Sequence, residues 1–177
     1  MKTILLNVSL IACLFIPLQA YNQQINTDES KVSFRIGNLG VNTVKGTFTG
    51  MSGDVNFDEQ NLGQSSFSVC IDASSIDTGV TRRDEDLRDE KYFHVAEYPE
   101  ICFVSDNISR SDDGYRTRGE LTLKGVTRSI TIPFEKEGNI LRGSFSLNRF
   151  DYNVGEGVGT FLIAETAEVT IECVLIP

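Results

Sequence analysis

Residues 119–135, GELTLKGVTRSITIPFE, contain two runs in which apolar and polar side chains alternate. The first run places Leu121 and Leu123 two positions apart, and the second repeats that spacing up to Phe134. Successive side chains of a β-strand point to opposite faces of the sheet, so this spacing is typical of strands with one buried face. Gly125 lies between the runs and marks a tight turn. The segment therefore predicts two neighbouring antiparallel strands.

The same alternation recurs along most of the chain. Short intervals rich in Gly, Asp and Asn separate the runs, as expected for an antiparallel barrel or sandwich. Eight strands of about ten residues would occupy the chain after residue 20, and closing them into a barrel would remove the exposed sheet edges. One charged stretch, residues 81–92, predicts a short surface helix instead. The other alternating runs lie at residues 32–36, 66–72, 101–104, 144–148 and 169–175.

Composition limits the function classes. The chain has 177 residues, of which 40% are hydrophobic and 23% charged, and this profile fits one globular domain. The formal net charge is -9 and the pI is near 4.6. Phosphate binding needs a basic face, so nucleic acid is excluded as a partner.

The first twenty residues predict a secretory signal peptide. Lys2 supplies the positive start, residues 4–16 are mostly apolar, and Ala20 precedes the expected cleavage site. The apolar run is too short for a stable membrane span, which needs about 20 residues. The mature chain should begin at Tyr21. Lipidation at Cys13 is the alternative, although the apolar run continues past that cysteine.

No residue pattern in the chain predicts catalysis or a cofactor. His94 is the single histidine, and the sequence marks no partners that would make it part of a triad or a metal site. The acidic residues of 84–90 lack the spacing of a calcium loop, and residues 155–159 lack the lysine of a phosphate loop. Removal of the signal would leave Cys70, Cys102 and Cys173, of which two could form a disulfide in any pairing. We expect no enzyme, no metal and no cofactor.

In the order and spacing of its motifs, the chain resembles the YceI-like family of exported lipid-binding proteins. The most recognisable pieces are YPEICF at 98–103, GELTLKGVT at 119–127 and NRFDY at 148–152. The resemblance covers nearly all of residues 21–177, which we interpret as one YceI-like lipid-binding β-barrel domain after a signal peptide at 1–20. His94 departs from the family, which often has an acidic or amide residue there. The other matching blocks lie at residues 33–41, 44–48, 53–58, 65–72, 75–79 and 83–93.

The resemblance implies an all-β fold, an eight-stranded antiparallel lipocalin-like β-barrel with one short helix. It also implies non-enzymatic binding, transport or storage of a polyisoprenoid or another long amphiphile, such as a quinone or a fatty-acid-derived lipid, in an apolar tunnel. The residues themselves lead only to export, a barrel and an apolar lining. The inward-facing residues expected to line the tunnel are Phe34, Phe67, Val69, Ile71, Ile101, Phe103, Leu121, Leu123, Phe145 and Leu147.

Two questions about the site stay open at this stage. The segment at 81–93 and the loop at 37–44 are candidates for the tunnel mouth, since loops and helix ends cluster at barrel rims. Arg82, Arg83 or Arg88 could meet a lipid head group there, or could simply balance the neighbouring acidic residues. The alternative function is an exported stress-response or interaction module with a packed barrel core, because phenylalanine-rich inward faces also suit a filled interior.

We expect a periplasmic or secreted protein without a stable membrane span. The oligomeric state is open, and a homodimer is among the assemblies that the sequence allows.

Overall fold

The fold is a single curled sheet. The computed structural model describes residues 22–176, and within them nine antiparallel strands form one sheet. The signal peptide prediction at 1–20 therefore lies outside the described residues. One α-helix, α1 (Thr81–Arg88), interrupts the strands. The strands are β1 (Lys31–Asn38), β2 (Asn42–Phe48), β3 (Ser52–Asn56), β4 (Ser66–Asp72), β5 (Glu100–Ser111), β6 (Gly114–Leu123), β7 (Val126–Glu137), β8 (Ile140–Asn148) and β9 (Ile163–Val174).

The strand order explains how the sheet curls back on itself. The order is β2-β1-β9-β8-β7-β6-β5-β4-β3, so the two edge strands, β2 and β3, are consecutive in the chain. Among the described residues no ladder joins these edges. Instead Asp77 forms a bridge with Thr47, and the Thr49 amide donates to the Ser75 hydroxyl at 2.9 Å. The antiparallel β-barrel class predicted from the sequence is confirmed, with a segment after β4 lying along its seam.

The predicted strand number, eight, was wrong by one. β2 and β3 show little alternation, because Gly46 and Gly53 occupy positions where a side chain would continue the pattern. At position 46 a glycine is needed for steric reasons, because a Cβ there would lie 2.5 Å from the Phe34 ring on β1. Curvature elsewhere also depends on a glycine. Gly119 faces an irregularity between Ser105 and Asn107 on β5, and a Cβ at Gly119 would overlap the backbone of that strand.

One end of the barrel is filled by aromatic side chains, which we call the aromatic plug: Phe57, Phe67, Tyr115 and Phe134. Neighbouring rings have centroids 5.0–6.1 Å apart, mostly edge to face. All four side chains are buried, and the β5–β6 and β7–β8 turns lie at this end. At the opposite end lie the β1–β2 and β6–β7 turns and the long β8–β9 connection.

The helix is shorter than the predicted stretch 81–92. α1 ends at Arg88, because Asp89 is extended and its amide bonds back to the Asp86 carbonyl. The following turns are held by the Phe93 amide, which donates to the Leu87 carbonyl at 3.0 Å. This early end turns the chain so that Phe93 packs into the barrel core rather than continuing along the surface.

The structure resolves the cysteine pairing that the sequence left open. Cys70 and Cys102 are directly opposed on β4 and β5 and form a disulfide. Glu100 lies close to both sulfurs, but the thiolates that a metal would need are consumed in that bond. Among residues 22–176 the free cysteine is Cys173, which is buried, and burial raises the pKa of its thiol to about 11.

Cys173 should make the protein less stable at alkaline pH. An exposed thiol in the unfolded chain ionises at a lower pH than the buried thiol. Between about pH 9 and 11 the folded state therefore keeps the thiol proton that the unfolded state has lost. The free energy of unfolding should fall as pH rises through this window, by up to about 1.4 kcal/mol per pH unit. Urea denaturation of wild type and Cys173→Ala at several pH values measures this. An equally steep decline in the Cys173→Ala variant would contradict the assignment.

Candidate ligand-binding site

The half of the barrel opposite the aromatic plug contains a cavity of about 270 Å³. Native interiors are close-packed and seldom hold voids much larger than a water molecule, so a space of this size is unusual. Residues from seven strands, from α1 and from the β8–β9 connection surround it. Its lining is almost wholly apolar and includes Val32, Ile36, Val44, Phe48, Met51, Leu87, Tyr92, Phe93, Val154, Ile163, Ala167, Val169 and Ile171 besides the predicted residues.

Nine of the ten residues predicted to line a tunnel do surround this cavity. They are Phe34, Val69, Ile71, Ile101, Phe103, Leu121, Leu123, Phe145 and Leu147. Phe67 does not; it belongs to the aromatic plug, with its ring centroid 5.5 Å from that of Phe134. Alternation along a strand shows which face of the sheet a side chain occupies but not how deep along the barrel it lies. That the nine residues contact a ligand stays a prediction.

The cavity reaches the barrel end where the β1–β2 turn lies. Asn38 and Ile163, paired across β1 and β9, both line it at that end. α1 and the residues after it form a further wall through Leu87, Tyr92 and Phe93. The sequence analysis placed this segment at the tunnel mouth but did not count these three side chains among the lining residues, although aromatic residues directly after a charged helix were a usable signal. The cavity therefore extends from mid-barrel to one rim.

The three arginines proposed for a head group have different surroundings. Arg83 lines the cavity, and its Nε donates to the Thr78 hydroxyl at 2.7 Å. Arg88 instead donates to the carbonyls of Ser74 and Ile76, both at 2.7 Å, and fastens α1 to the segment along the seam. Arg82 is exposed and lies outside the lining. Of the three, Arg83 is the one placed at the cavity, accompanied by Asp86.

Arg149 is a functional candidate that sequence reasoning did not single out, although it lies in the NRFDY motif. Its side chain is buried, lines the cavity and packs 3.9 Å from the Phe150 ring centroid. Burial lowers the pKa of its guanidinium, which nevertheless stays charged. No carboxylate pairs with it among the described residues. Its hydrogen bonds, 2.7–3.3 Å long, go to the carbonyls of Val154, Gly155, Val158, Ile163 and Ala164.

These five acceptors explain what Arg149 does in the free protein. All belong to the β8–β9 connection or to the start of β9, a stretch with several glycines and little regular structure. One planar group with five donors therefore fixes the course of the segment that forms part of the cavity rim. Since its donors face the backbone, Arg149 acts as a positioning residue for the rim.

Tyr152 has a buried hydroxyl that meets no hydrogen-bond partner within residues 22–176. Its side chain is 2% exposed and packs with Phe103, Leu121 and Val154. Desolvation raises the pKa of its phenol. A buried hydroxyl without a partner lowers stability, because it loses its bonds to water without replacing them.

Tyr152→Phe should therefore stabilise the protein by about 1 kcal/mol, since it removes the unpaired hydroxyl and keeps the ring. Thermal unfolding of the two proteins, checked by chemical denaturation, measures the difference. Tyr115→Phe is the matched comparison, because the Tyr115 hydroxyl donates to Glu59 at 3.0 Å and its loss should not stabilise. A loss of stability in Tyr152→Phe would show that its hydroxyl has a partner, such as an ordered water.

None of the helices within residues 22–176 is long and apolar enough to cross a bilayer.

A curled antiparallel sheet around an apolar cavity defines a β-barrel of the lipocalin-like type. The YceI-like domain model matches residues 23–175, and the chain belongs to that family. Relatives support this. A UPF0312 protein of Photorhabdus laumondii is 36% identical over 67% of this chain, although the match spans only 62% of that relative. A UPF0312 protein of Yersinia pestis is 33% identical over 76% of this chain and 72% of its own length.

Solved structures show the same architecture. BcnA of Burkholderia cenocepacia superposes with a TM-score of 0.78 at 27% identity, covering 85% of this chain and 98% of BcnA. A polyisoprenoid binding domain from Saccharophagus degradans, implicated in plant cell wall breakdown, gives 0.65 at 17% identity, covering 86% and 97%. At this low identity the second likeness extends to the fold alone.

Proposed function

We propose that this protein binds a polyisoprenoid or a similar long-chain amphiphile without catalysing its conversion, and that it transports or stores that lipid. The observation that carries the proposal is the cavity of about 270 Å³ with its almost wholly apolar lining. An apolar space of this kind favours an apolar occupant over water, because water inside it would lack hydrogen-bond partners. The apolar tail would occupy the cavity and the polar end would stay at the rim.

The energetics favour a chain over a small hydrophobic molecule. Each five-carbon isoprene unit gains roughly 3–4 kcal/mol on burial, at about 0.8 kcal/mol per carbon. Association costs about 4–15 kcal/mol before any net affinity appears. One unit is therefore insufficient, whereas several units can bind tightly. Tail length, more than the head group, should set the affinity.

Two further considerations support a lipid. The lipid binding that the YceI-like resemblance implies and the polyisoprenoid binding of the Saccharophagus degradans domain both agree with a prenyl tail. Residues 1–20, which have the pattern of a signal peptide, are consistent with a function outside the cytoplasm. We propose that the protein is located in the periplasm or outside the cell. There, a water-insoluble lipid needs a carrier to cross the aqueous space between membranes.

Native mass spectrometry of the purified protein tests the proposal. We expect either a co-purifying lipid or binding of an added long-chain prenol with one-to-one stoichiometry. The alternative is a surface interaction module whose barrel holds no ligand. Protein that repeatedly lacks lipid and takes up neither prenol nor quinone would favour that alternative and contradict ours.

Arg83 allows a test of the head group. Its Nε donates a hydrogen bond to the Thr78 hydroxyl and one terminal nitrogen donates to the Thr78 carbonyl. The other terminal nitrogen has no hydrogen-bond acceptor within the described residues and could meet an anionic group. If it does, Arg83→Gln should weaken binding of a prenyl phosphate about tenfold, the value of one charge-assisted hydrogen bond, and spare the matching prenol. Arg82→Gln is the neighbouring control. Equal losses for both ligands would indicate that Arg83 only holds the helix.

A further inference from the structure

Exposed apolar side chains cluster at the barrel end that the cavity reaches. We call Leu39, Val41, Phe161 and Leu162 the apolar rim. Val41 is 88% exposed and Phe161 is 76% exposed, and the two leucines are also exposed. Leu39 and Val41 lie in the β1–β2 turn, and the other two directly precede β9. Large apolar side chains grouped on a surface mark a place of contact.

Backbone contacts hold the two halves of the rim together. The Leu39 amide donates to the Leu162 carbonyl at 3.0 Å, and Asn38 pairs with Ile163 directly beneath them. Both Asn38 and Ile163 line the cavity. The exposed apolar surface is thus continuous with the mouth of the proposed lipid site.

The turn keeps Leu39 exposed at a conformational cost. Leu39 has a φ of 52°, in the left-handed region that side chains larger than glycine seldom adopt. Asparagine or glycine would suit that position, yet a branched apolar residue stands there. Backbone strain of this kind is concentrated at functional positions, and here it accompanies an exposed leucine at the cavity mouth.

Charge identifies the surface that the rim would meet. Residues 36–44 and 157–164 contain no charged side chain, although 23% of the chain is charged. The chain as a whole carries a net charge of -9, so an anionic membrane would repel it and a neutral one would not. A second copy of the chain is a poorer occupant, because four side chains on two loops are few beside the 20–30 residues per partner of a stable interface.

We infer that the apolar rim docks on a neutral, zwitterionic lipid bilayer, where insertion of its side chains brings the cavity mouth to the membrane. This inference rests on the proposed lipid-binding function and adds the membrane as the partner with which the ligand is exchanged. Entry of the tail from the bilayer would then avoid its full exposure to water, whose cost rises with each carbon.

Flotation with phosphatidylcholine vesicles tests the inference. All proteins should be purified from the soluble fraction of cells expressing the full chain, with the same N-terminus verified by mass spectrometry. We expect wild type to float with the vesicles, and Val41→Ser/Phe161→Ser to bind at least about tenfold more weakly. Val104→Ser is the matched control, since Val104 is 51% exposed on the β5 wall, and it should bind like wild type.

A separate solution assay, in which cyclodextrin delivers a prenol of several isoprene units in the absence of vesicles, distinguishes the inference from the proposed function. If the docking inference holds, Val41→Ser/Phe161→Ser should take up this prenol within about twofold of wild type, because the cavity lining is unchanged. Wild type that fails to float, or floats only with anionic vesicles, would overturn docking while prenol binding persists. The docking inference would also be overturned if Val41→Ser/Phe161→Ser floats like wild type. It would equally be overturned if wild type is a dimer in solution and this variant is a monomer. Absent prenol binding would instead refute the proposed function.

Discussion

Val69→Phe is expected to leave the free protein folded and to weaken binding of a long prenyl chain by about 100-fold or more. Val69 lines the cavity at mid-depth, where it packs against the buried residues around Phe67 on one side and those around Leu121 on the other. The larger ring can extend into the existing space, so it avoids the roughly 1–3 kcal/mol of strain that overpacking causes in a filled core. It would displace about one isoprene unit, which is worth roughly 3–4 kcal/mol.

The measurement combines thermal unfolding of lipid-free protein with titration of prenols of increasing length. Short chains that end before Val69 should bind as they do to wild type, and the loss should begin at one chain length. Val104→Phe changes the same residue type on the outer wall and should affect neither property. A clear drop in melting temperature with unchanged binding would show that Val69 lies in a filled core.

Arg149→Ala is expected to destabilise the protein by about 3–5 kcal/mol. The substitution removes one buried cation and leaves five backbone carbonyls without their donor. Removing one partner from a buried, charge-assisted network costs this much, because the remaining polar groups stay desolvated. Opening of residues 153–162 towards water would limit the cost and would enlarge the cavity mouth.

Chemical denaturation gives the stability change, and hydrogen exchange shows whether residues 153–162 lose protection before the barrel does. Arg149→Lys should recover only part of the loss, since an ammonium has three donors and no planar fork. Arg116→Ala, an exposed arginine on β6, should change stability by less than about 0.5 kcal/mol. An equally small change at Arg149 would mean that its bonds do not hold the connection.

The sequence predicts the β-class, the inward faces and the apolar character of the cavity because these depend on alternation, which is local. It predicts less well whatever depends on three-dimensional depth. Phe67 and Val69 lie on one face of β4, yet the first fills the plug and the second lines the cavity. Only the curl of the sheet and the position of Phe134 across the barrel separate them.

The contribution of Arg149 could not be predicted for a different reason. Its partners are carbonyl oxygens, and every residue offers one of those whatever its side chain. No residue pattern marks such acceptors, whereas an acidic partner would have suggested an ion pair. β2 is absent from the alternating runs for a related reason: Gly46 contributes by the side chain it lacks, which leaves space for Phe34.

The aromatic plug has a kinetic consequence. A cavity closed at one end lets a lipid enter and leave only by the rim, so the chain must withdraw along its whole length before a second molecule can replace it. If withdrawal limits release, the residence time should lengthen roughly exponentially with the number of buried units, while the entry rate changes little. A long-chain lipid would then leave quickly only where an acceptor, such as a bilayer, takes up the tail as it emerges.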